Sequence, residues 1–131
     1  MLLDFTAYPE WNPFIRRISG KAVVGERLEV YIQPPGARGM LFRPTVLSVE
    51  ANHQFRWLGK LWVRGLFDGE HAFIIEQQDT NRVHFIQQET FSGILVLLLA
   101  STLQATQRGF DAMNQALKDR VEKAASRTET A

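Results

Sequence analysis

The chain has 131 residues, of which 45% are hydrophobic, and its 15 basic and 14 acidic residues give a formal net charge of +1. This length and composition predict one domain with a substantial core, and the balanced charge gives no electrostatic reason to expect nucleic acid as a partner. The absence of cysteine excludes a disulfide framework, a thiolate nucleophile and a cysteine-based metal site.

An aromatic segment opens the chain, with large rings at every third position: Phe5, Tyr8, Trp11 and Phe14. Pro9 and Pro13 fix their own φ and disfavour helix at the residue before each of them. The segment therefore predicts a short helical turn, broken at both prolines, whose rings need a core to cover them.

Six strands are predicted next, from alternating or apolar runs bounded by turn residues, at 14–18, 27–32, 45–49, 55–62, 70–77 and 82–91. The turn chemistry of 79–81 predicts a hairpin between the last two strands. The proline- and glycine-rich stretch 34–40 is either a mobile lid, with Leu41 and Phe42 gating a cavity, or an ordinary hairpin loop.

A long amphipathic helix is predicted over 99–121, because its apolar residues recur every three or four positions: Leu99, Leu103, Thr106, Phe110, Met113, Leu117 and Val121. Gly109 inside this helix indicates close packing or a slight bend. Before it, the apolar run 94–98 is either buried or an exposed patch used for association. The sequence predicts one domain over 1–124 and a frayed tail over 125–131. Antiparallel strands followed by one helix give an α+β fold with the helix on one sheet face.

The chain resembles the START-like (SRPBCC) superfamily, which includes polyketide-cyclase-like and birch-pollen-allergen-like domains. The matching residues lie along nearly the whole chain: Leu3-Asp4-Phe5-x-x-Tyr8-Pro9-x-Trp11-Asn12-Pro13-Phe14, Phe42-x-Pro44-x-Val46, Phe55-x-Trp57-x-Gly59, Gly69-Glu70-His71-x-Phe73, Gln87-x-Glu89-x-Phe91-x-Gly93 and Gly109-Phe110-x-x-Met113-Asn114-x-x-Leu117. The resemblance implies a helix-grip fold, in which a curved antiparallel sheet wraps around the C-terminal helix and encloses a ligand cavity.

One departure from that superfamily concerns the sheet edge. Its members have a first strand before the aromatic turn, next to the last strand of the sheet, and Met1 begins after that point. The backbone N–H and C=O groups along the outer edge of 82–91 would then have no neighbouring strand to bond to. Either this edge is covered, by a second copy in a homodimer or by another segment, or the chain as given starts too late.

Side chains alternate between the two faces of a strand, and we assume that the more apolar set in each strand faces the helix. The inner face of the sheet is then mostly apolar. The assigned residues are Leu28, Val30, Ile32, Thr45, Leu47, Val49, Phe55, Trp57, Gly59, His71, Phe73, Ile75, Val83, Phe85, Gln87, Glu89 and Phe91. A cavity between this face and the helix would take a small hydrophobic ligand, such as a lipid, a polyketide or an aromatic metabolite. Its predicted lining is Phe55, Trp57, Phe73, Phe85, Gln87, Leu103, Phe110 and Met113.

Three polar residues, His71, Gln87 and Glu89, interrupt this inner face on neighbouring strands. One interpretation makes them the polar end of the cavity, with His71 and Glu89 as a catalytic acid–base pair for a cyclisation or dehydration. The other is structural, because inward histidine and glutamate side chains are often satisfied by core hydrogen bonds. Three functions therefore remain open: a hydrophobic-ligand binder, a polyketide cyclase/dehydratase-like enzyme, and a dimeric interaction module with a filled core.

Several other kinds of site are disfavoured. A stacking surface of Trp11, Trp57 and Trp62 beside Arg56, Lys60 and Arg64 conflicts with alternation, since Trp57 points away from Arg56 and Lys60. His53, His71 and His84 fall on a turn and on opposite strand parities, so no metal site or cofactor is predicted. The longest apolar run, 94–100, has seven residues, whereas a helix needs about 20 to cross a bilayer. The N-terminus also lacks a signal-peptide pattern, and a cytoplasmic location is predicted.

Overall fold

The computed structural model of the protein describes residues 1–60, 68–93 and 100–130. A 3-10 turn, Phe5–Ala7, leads into helix α1, Tyr8–Trp11. Seven strands follow in the described ranges: β1 Ile15–Ser19, β2 Glu29–Ile32, β3 Met40–Phe42, β4 Thr45–Glu50, β5 Gln54–Lys60, β6 Asp68–Gln77 and β7 Val83–Ser92. Helix α2, Ala100–Thr130, is the last element of the described residues. The α+β fold with a long helix on a sheet face is confirmed.

The strands form two antiparallel sheets, in the orders β1-β2-β3 and β4-β5-β6-β7. Backbone hydrogen bonds join them, because the residues just before β2 pair with the start of β4: Leu28 N–H donates to Pro44 at 2.9 Å and Val46 N–H donates to Glu26 at 2.9 Å. The prediction of about six strands in one sheet missed β3, since three residues are too few to show alternation.

The inner face of β4 differs from the predicted one because of a bulge. Its register against β5 shifts between Val46 and Ser48, and an extra residue at this point reverses the side-chain alternation. Val46 and Val49 therefore lie opposite Trp57 and Phe55 on the inner face. The prediction was wrong for Leu47, which is 40% exposed, whereas Val46 is 1% exposed.

The aromatic segment at the N-terminus is held by two polar side chains. The Tyr8 hydroxyl donates to the carbonyl of Leu2 at 2.7 Å. Asn12 Oδ1 accepts the N–H groups of Phe14 and Ile15 at 3.0 and 2.8 Å, which turns the chain into β1. Pro9 lies in the first turn of α1, where its missing N–H costs no bond. As predicted, the rings of this segment are buried or half-buried: Phe5, Tyr8, Trp11 and Phe14.

The buried side of α2 follows the predicted period: Thr106, Gly109, Phe110, Met113 and Leu117. The prediction fails at Val121, which is 43% exposed. The helix also continues through Thr130, past residue 125, where a frayed tail was expected to begin. Leu99, the run 94–98, Trp62 and Arg64 lie outside the described residues. No helix in the described ranges has the length and apolarity needed to cross a membrane.

Strand β7 lies at the end of its sheet, and no strand among the described residues pairs with its outer edge. This agrees with the expected exposed edge at 82–91. Homodimer formation through this edge stays a prediction, as does the cytoplasmic location.

Candidate functional site

A cavity of about 940 Å³, partly open to solvent, lies among the β2–β3 loop (residues 33–39), the adjoining ends of β5, β6 and β7, and the first half of α2. Much of its wall is apolar and aromatic: Phe14, Ile32, Leu41, Phe42, Trp57 and Phe91. The β2–β3 loop, Leu41 and Phe42 thus occupy the place that a lid and gate would take.

His71 and Glu89 are two polar residues of this wall. They are cross-strand partners on β6 and β7, and His71 Nδ1 lies 3.6 Å from Glu89 Oε2. This distance permits an ion pair but is too long for a hydrogen bond. The side chains are 4% and 17% exposed, respectively. Sequence reasoning placed the two residues on one face, and the structure brings them together in one cavity.

Gly69 makes room for the Glu89 carboxylate. These two residues lie near each other across the β6–β7 pair, and a Cβ built on Gly69 would lie 2.5 Å from Glu89 Oε1. Real Cβ atoms do not approach an oxygen this closely, so an alanine at position 69 would move the carboxylate. The absence of a side chain at Gly69 therefore allows the approach of Glu89 to His71.

The His71 ring is fixed by aromatic packing. Its centroid lies 4.3 Å from that of Phe73, 4.8 Å from Phe110 and 5.0 Å from Trp57. Its Nε2 is buried and has no hydrogen-bond partner within the described parts of the chain. An imidazole held in this way, with a carboxylate beside Nδ1, can orient a polar group of a ligand or exchange a proton with it.

Gln87, the third polar residue predicted at the site, has a different position. Its Nε2 donates to Asn114 Oδ1 at 2.8 Å and so joins β7 to α2. Gln87 does not line the cavity. It lies two residues from Glu89 along β7, opposite the core residue Phe73 rather than opposite His71. The structure thus divides the predicted polar trio into a pair at the cavity and a link between sheet and helix.

The other predicted lining residues, apart from Trp57, lie outside the cavity wall: Phe55, Phe73, Phe85, Leu103, Phe110 and Met113. Phe55, Phe73, Phe110 and Met113 are buried in the core. The rings of Phe55 and Phe73 stack at 6.0 Å, and those of Phe73 and Phe85 stack at 6.3 Å. The reason is that these large side chains pack against one another in the core, whereas the open volume lies between the first half of α2, the ends of β5–β7 and the β2–β3 loop.

Trp57 is buried at the cavity, while its neighbour Arg56 pairs with Glu70. The alternation that disfavoured a tryptophan stacking surface is therefore confirmed for Trp57. In the described part of the chain, no three histidine, aspartate or glutamate residues are grouped as a metal site would require.

Sequence reasoning missed the basic residues of the wall: Arg27, Arg38, Arg43, Lys60 and Arg108. They were missed because the charge is balanced over the whole chain and because these residues come from elements that are far apart in sequence. Sequence reasoning counted Gly39 only among the glycines of the lid or loop and did not foresee its contact with Tyr31, whose hydroxyl a Cβ at position 39 would overlap. The close approach of Tyr31 to Gly39 holds the β2–β3 loop against β2.

Comparison with known proteins gives a fold but no activity. No protein-family model and no curated protein matches the sequence. The crystal structure of protein MLL2253 from Mesorhizobium loti, a structural-genomics target, matches with a TM-score of 0.59 and 18% identity, over 90% of this chain and 84% of that chain. At this identity the similarity shows a shared fold alone.

Proposed function

We propose that the protein binds a small, mostly apolar molecule in the cavity behind the β2–β3 loop. The observation that carries this proposal is the cavity itself, with its volume of about 940 Å³. Small-molecule sites commonly occupy roughly 300–1,000 Å³ and have apolar walls with a few placed polar groups. The aromatic residues of the wall match the apolar part of that description, and the His71–Glu89 pair and the basic residues supply the polar groups.

We also propose that the chain is a START-like domain. The support is the order of elements, in which an aromatic turn and antiparallel strands precede one long helix that packs on the sheet. In this proposal the ligand enters past Leu41 and Phe42, which line the cavity beside the β2–β3 loop.

The first test is native mass spectrometry of the protein as purified from cells, with a denatured sample as control. The proposal expects an extra small-molecule mass that disappears on denaturation. The same spectrum gives the number of copies in the assembly and so tests pairing through β7. An apo protein that also fails to bind a neutral naphthyl probe would overturn the proposal.

A variant that fills part of the cavity tests whether the ligand binds there. Gly59 lines the cavity, and a Cβ there would meet Phe42 at an ordinary contact distance of 3.4 Å. Gly59→Leu should therefore fold and occupy part of the cavity, so that both the extra mass and the probe signal are lost. Thr90→Leu adds the same side chain at an exposed site on β7 and should leave both unchanged. Equal binding by the two variants would place the ligand elsewhere.

A second candidate function is acid–base catalysis on the bound molecule, in the manner of the polyketide cyclases that the sequence resembles. The observation that favours it is the joint presence of His71 and Glu89 in the cavity wall, with 3.6 Å between Nδ1 and Oε2. General acids and bases are needed within reach of the reacting group. In this candidate, Glu89 and His71 exchange protons with the ligand while the aromatic wall holds it.

A further inference from the structure

We propose that the molecule held in this cavity is an anionic amphiphile, with an apolar body and a carboxylate or phosphate group at the cavity mouth. This inference rests on the proposed binding function and names the class of ligand. The cavity wall contains five basic residues, Arg27, Arg38, Arg43, Lys60 and Arg108, and one acidic residue, Glu89. The whole chain has nearly equal numbers of basic and acidic residues, so this excess is local.

Most of these cations have no counter-charge of their own. Arg43 pairs with Glu29 at 3.1 Å. The side chains of the other four make no ion pair or hydrogen bond within the described residues. The four come from different elements: Arg27 precedes β2, Arg38 lies in the β2–β3 loop, Lys60 ends β5 and Arg108 lies on α2.

Arginines elsewhere in the described chain are mostly paired. Arg17, Arg56, Arg82 and Arg120 each make a salt bridge, and Arg16 donates to the carbonyl of Asn12. Away from the cavity, Arg127 is the one described arginine whose side chain has no such partner. Unpaired arginines are therefore concentrated at the cavity.

The single acidic residue of the wall does not neutralise them. The Glu89 carboxylate faces His71 Nδ1 at 3.6 Å and lies against Gly69. Exposed cations at the mouth of a low-dielectric cavity attract an anion, and the planar guanidinium group binds carboxylate or phosphate through two parallel hydrogen bonds. The apolar body of such a ligand would lie against Phe42 and Trp57.

The test compares three twelve-carbon ligands that differ in the head group: dodecanol, dodecanoate and dodecyl phosphate. Each displaces a neutral naphthyl probe, below its critical micelle concentration, at low and at high salt. We expect the anionic ligands to bind at least about tenfold more tightly than the alcohol, with the advantage shrinking at high salt. Whichever anionic ligand has the larger advantage identifies the head group as carboxylate or phosphate.

Matched double variants locate the effect. Arg38→Gln with Arg108→Gln should weaken anion binding by about tenfold and leave dodecanol unchanged. Lys123→Gln with Arg127→Gln also removes two positive charges, but from exposed positions near the end of α2. It should change neither the affinity for the anions nor that for dodecanol. An equal loss in both double variants would overturn the inference.

Two further results separate this inference from the proposed function. Equal affinity of the alcohol and the anions, all abolished by Gly59→Leu, would overturn the anionic head group and leave the binding function standing. No binding of any of the three ligands or of the naphthyl probe, together with an apo native spectrum, would overturn both.

Discussion

The ring of Phe14, the residue just before β1, lies directly on the backbone of Gly109 in the first half of α2. A Cβ at position 109 would overlap the Cγ, Cδ2 and Cε2 atoms of that ring. Phe14 is 2% exposed and also packs edge-on against Phe110 at 5.7 Å. Of the two explanations that the sequence allowed for a glycine inside the helix, the structure supports close packing.

Gly109→Ala should therefore destabilise the protein even though alanine is the better helix former. The substitution gains about 1 kcal/mol in helix propensity, whereas forcing a methyl group into a packed core costs about 1–3 kcal/mol. We expect a lower free energy of unfolding in chemical denaturation. Gln107→Ala, at an exposed position of the same helix, is the control and should be neutral or stabilising. A Gly109→Ala protein as stable as that control would show that Phe14 moves aside without cost.

Gly69→Ala should displace the Glu89 carboxylate from His71. The atom that an added Cβ would meet is Oε1, the end of a flexible side chain, so the free energy of unfolding should change by no more than about 1 kcal/mol. We expect the imidazole NMR signals of His71 to shift as they do in Glu89→Gln. Gly59→Ala is the control, because its Cβ fits at 3.4 Å from Phe42. Unshifted His71 signals in Gly69→Ala would contradict this reading of the glycine.

The same two variants separate the binder from the enzyme. If His71 and Glu89 act as acid and base, Gly69→Ala and Glu89→Gln should lower the turnover of the co-purified ligand by about 10² or more. Both variants should still hold that ligand in native mass spectrometry. In a pure binder, the mass of the ligand stays constant on incubation with the wild type and with either variant.

The hydrogen bond from Gln87 to Asn114 should stabilise the fold without affecting ligand affinity. The Nε2–Oδ1 distance is 2.8 Å, and a part-buried bond of this kind contributes about 0.5–1.5 kcal/mol. A double-mutant cycle of Gln87→Ala and Asn114→Ala should give a coupling energy in that range. Binding of the naphthyl probe should be unchanged, because Gln87 lies outside the cavity wall. Weaker probe binding with no coupling would restore the ligand-orienting role first expected of Gln87.

The sequence sufficed to place His71 and Glu89 on one face because side-chain direction in a strand has a period of two. It did not suffice to locate the cavity. Whether Phe73 and Phe110 leave a void or fill it depends on side-chain volumes that meet only in the folded chain. The bulge at Leu47 was equally hidden, because an extra residue in β4 is defined by its register against β5. The cluster of Arg27, Arg38 and Arg108 likewise depends on which distant elements meet.

Alkaline pH should destabilise the protein through Tyr8. Its side chain is fully buried, and burial raises its pKa well above the ordinary value of 10.0 by disfavouring the charged phenolate. The folded state therefore keeps the proton at a pH where the unfolded chain has lost it. The full stability is present below the unfolded pKa and decreases above it, by up to about 1.4 kcal/mol per pH unit until the folded pKa is reached.

Tyr8→Phe tests whether Tyr8 makes the protein less stable at alkaline pH. At neutral pH the variant should be less stable by about 1 kcal/mol, because it lacks the hydrogen bond to the Leu2 carbonyl. Above pH 10 the wild type loses stability through Tyr8 and the variant does not, so the free energies of unfolding of the two proteins should converge as pH rises.

Tyr31→Phe provides a second measurement, since it leaves Tyr8 as the single tyrosine of the sequence. In that variant, tyrosinate absorbance should appear together with unfolding and not before it. Ionisation near pH 10 in a protein that remains folded would contradict the burial of Tyr8.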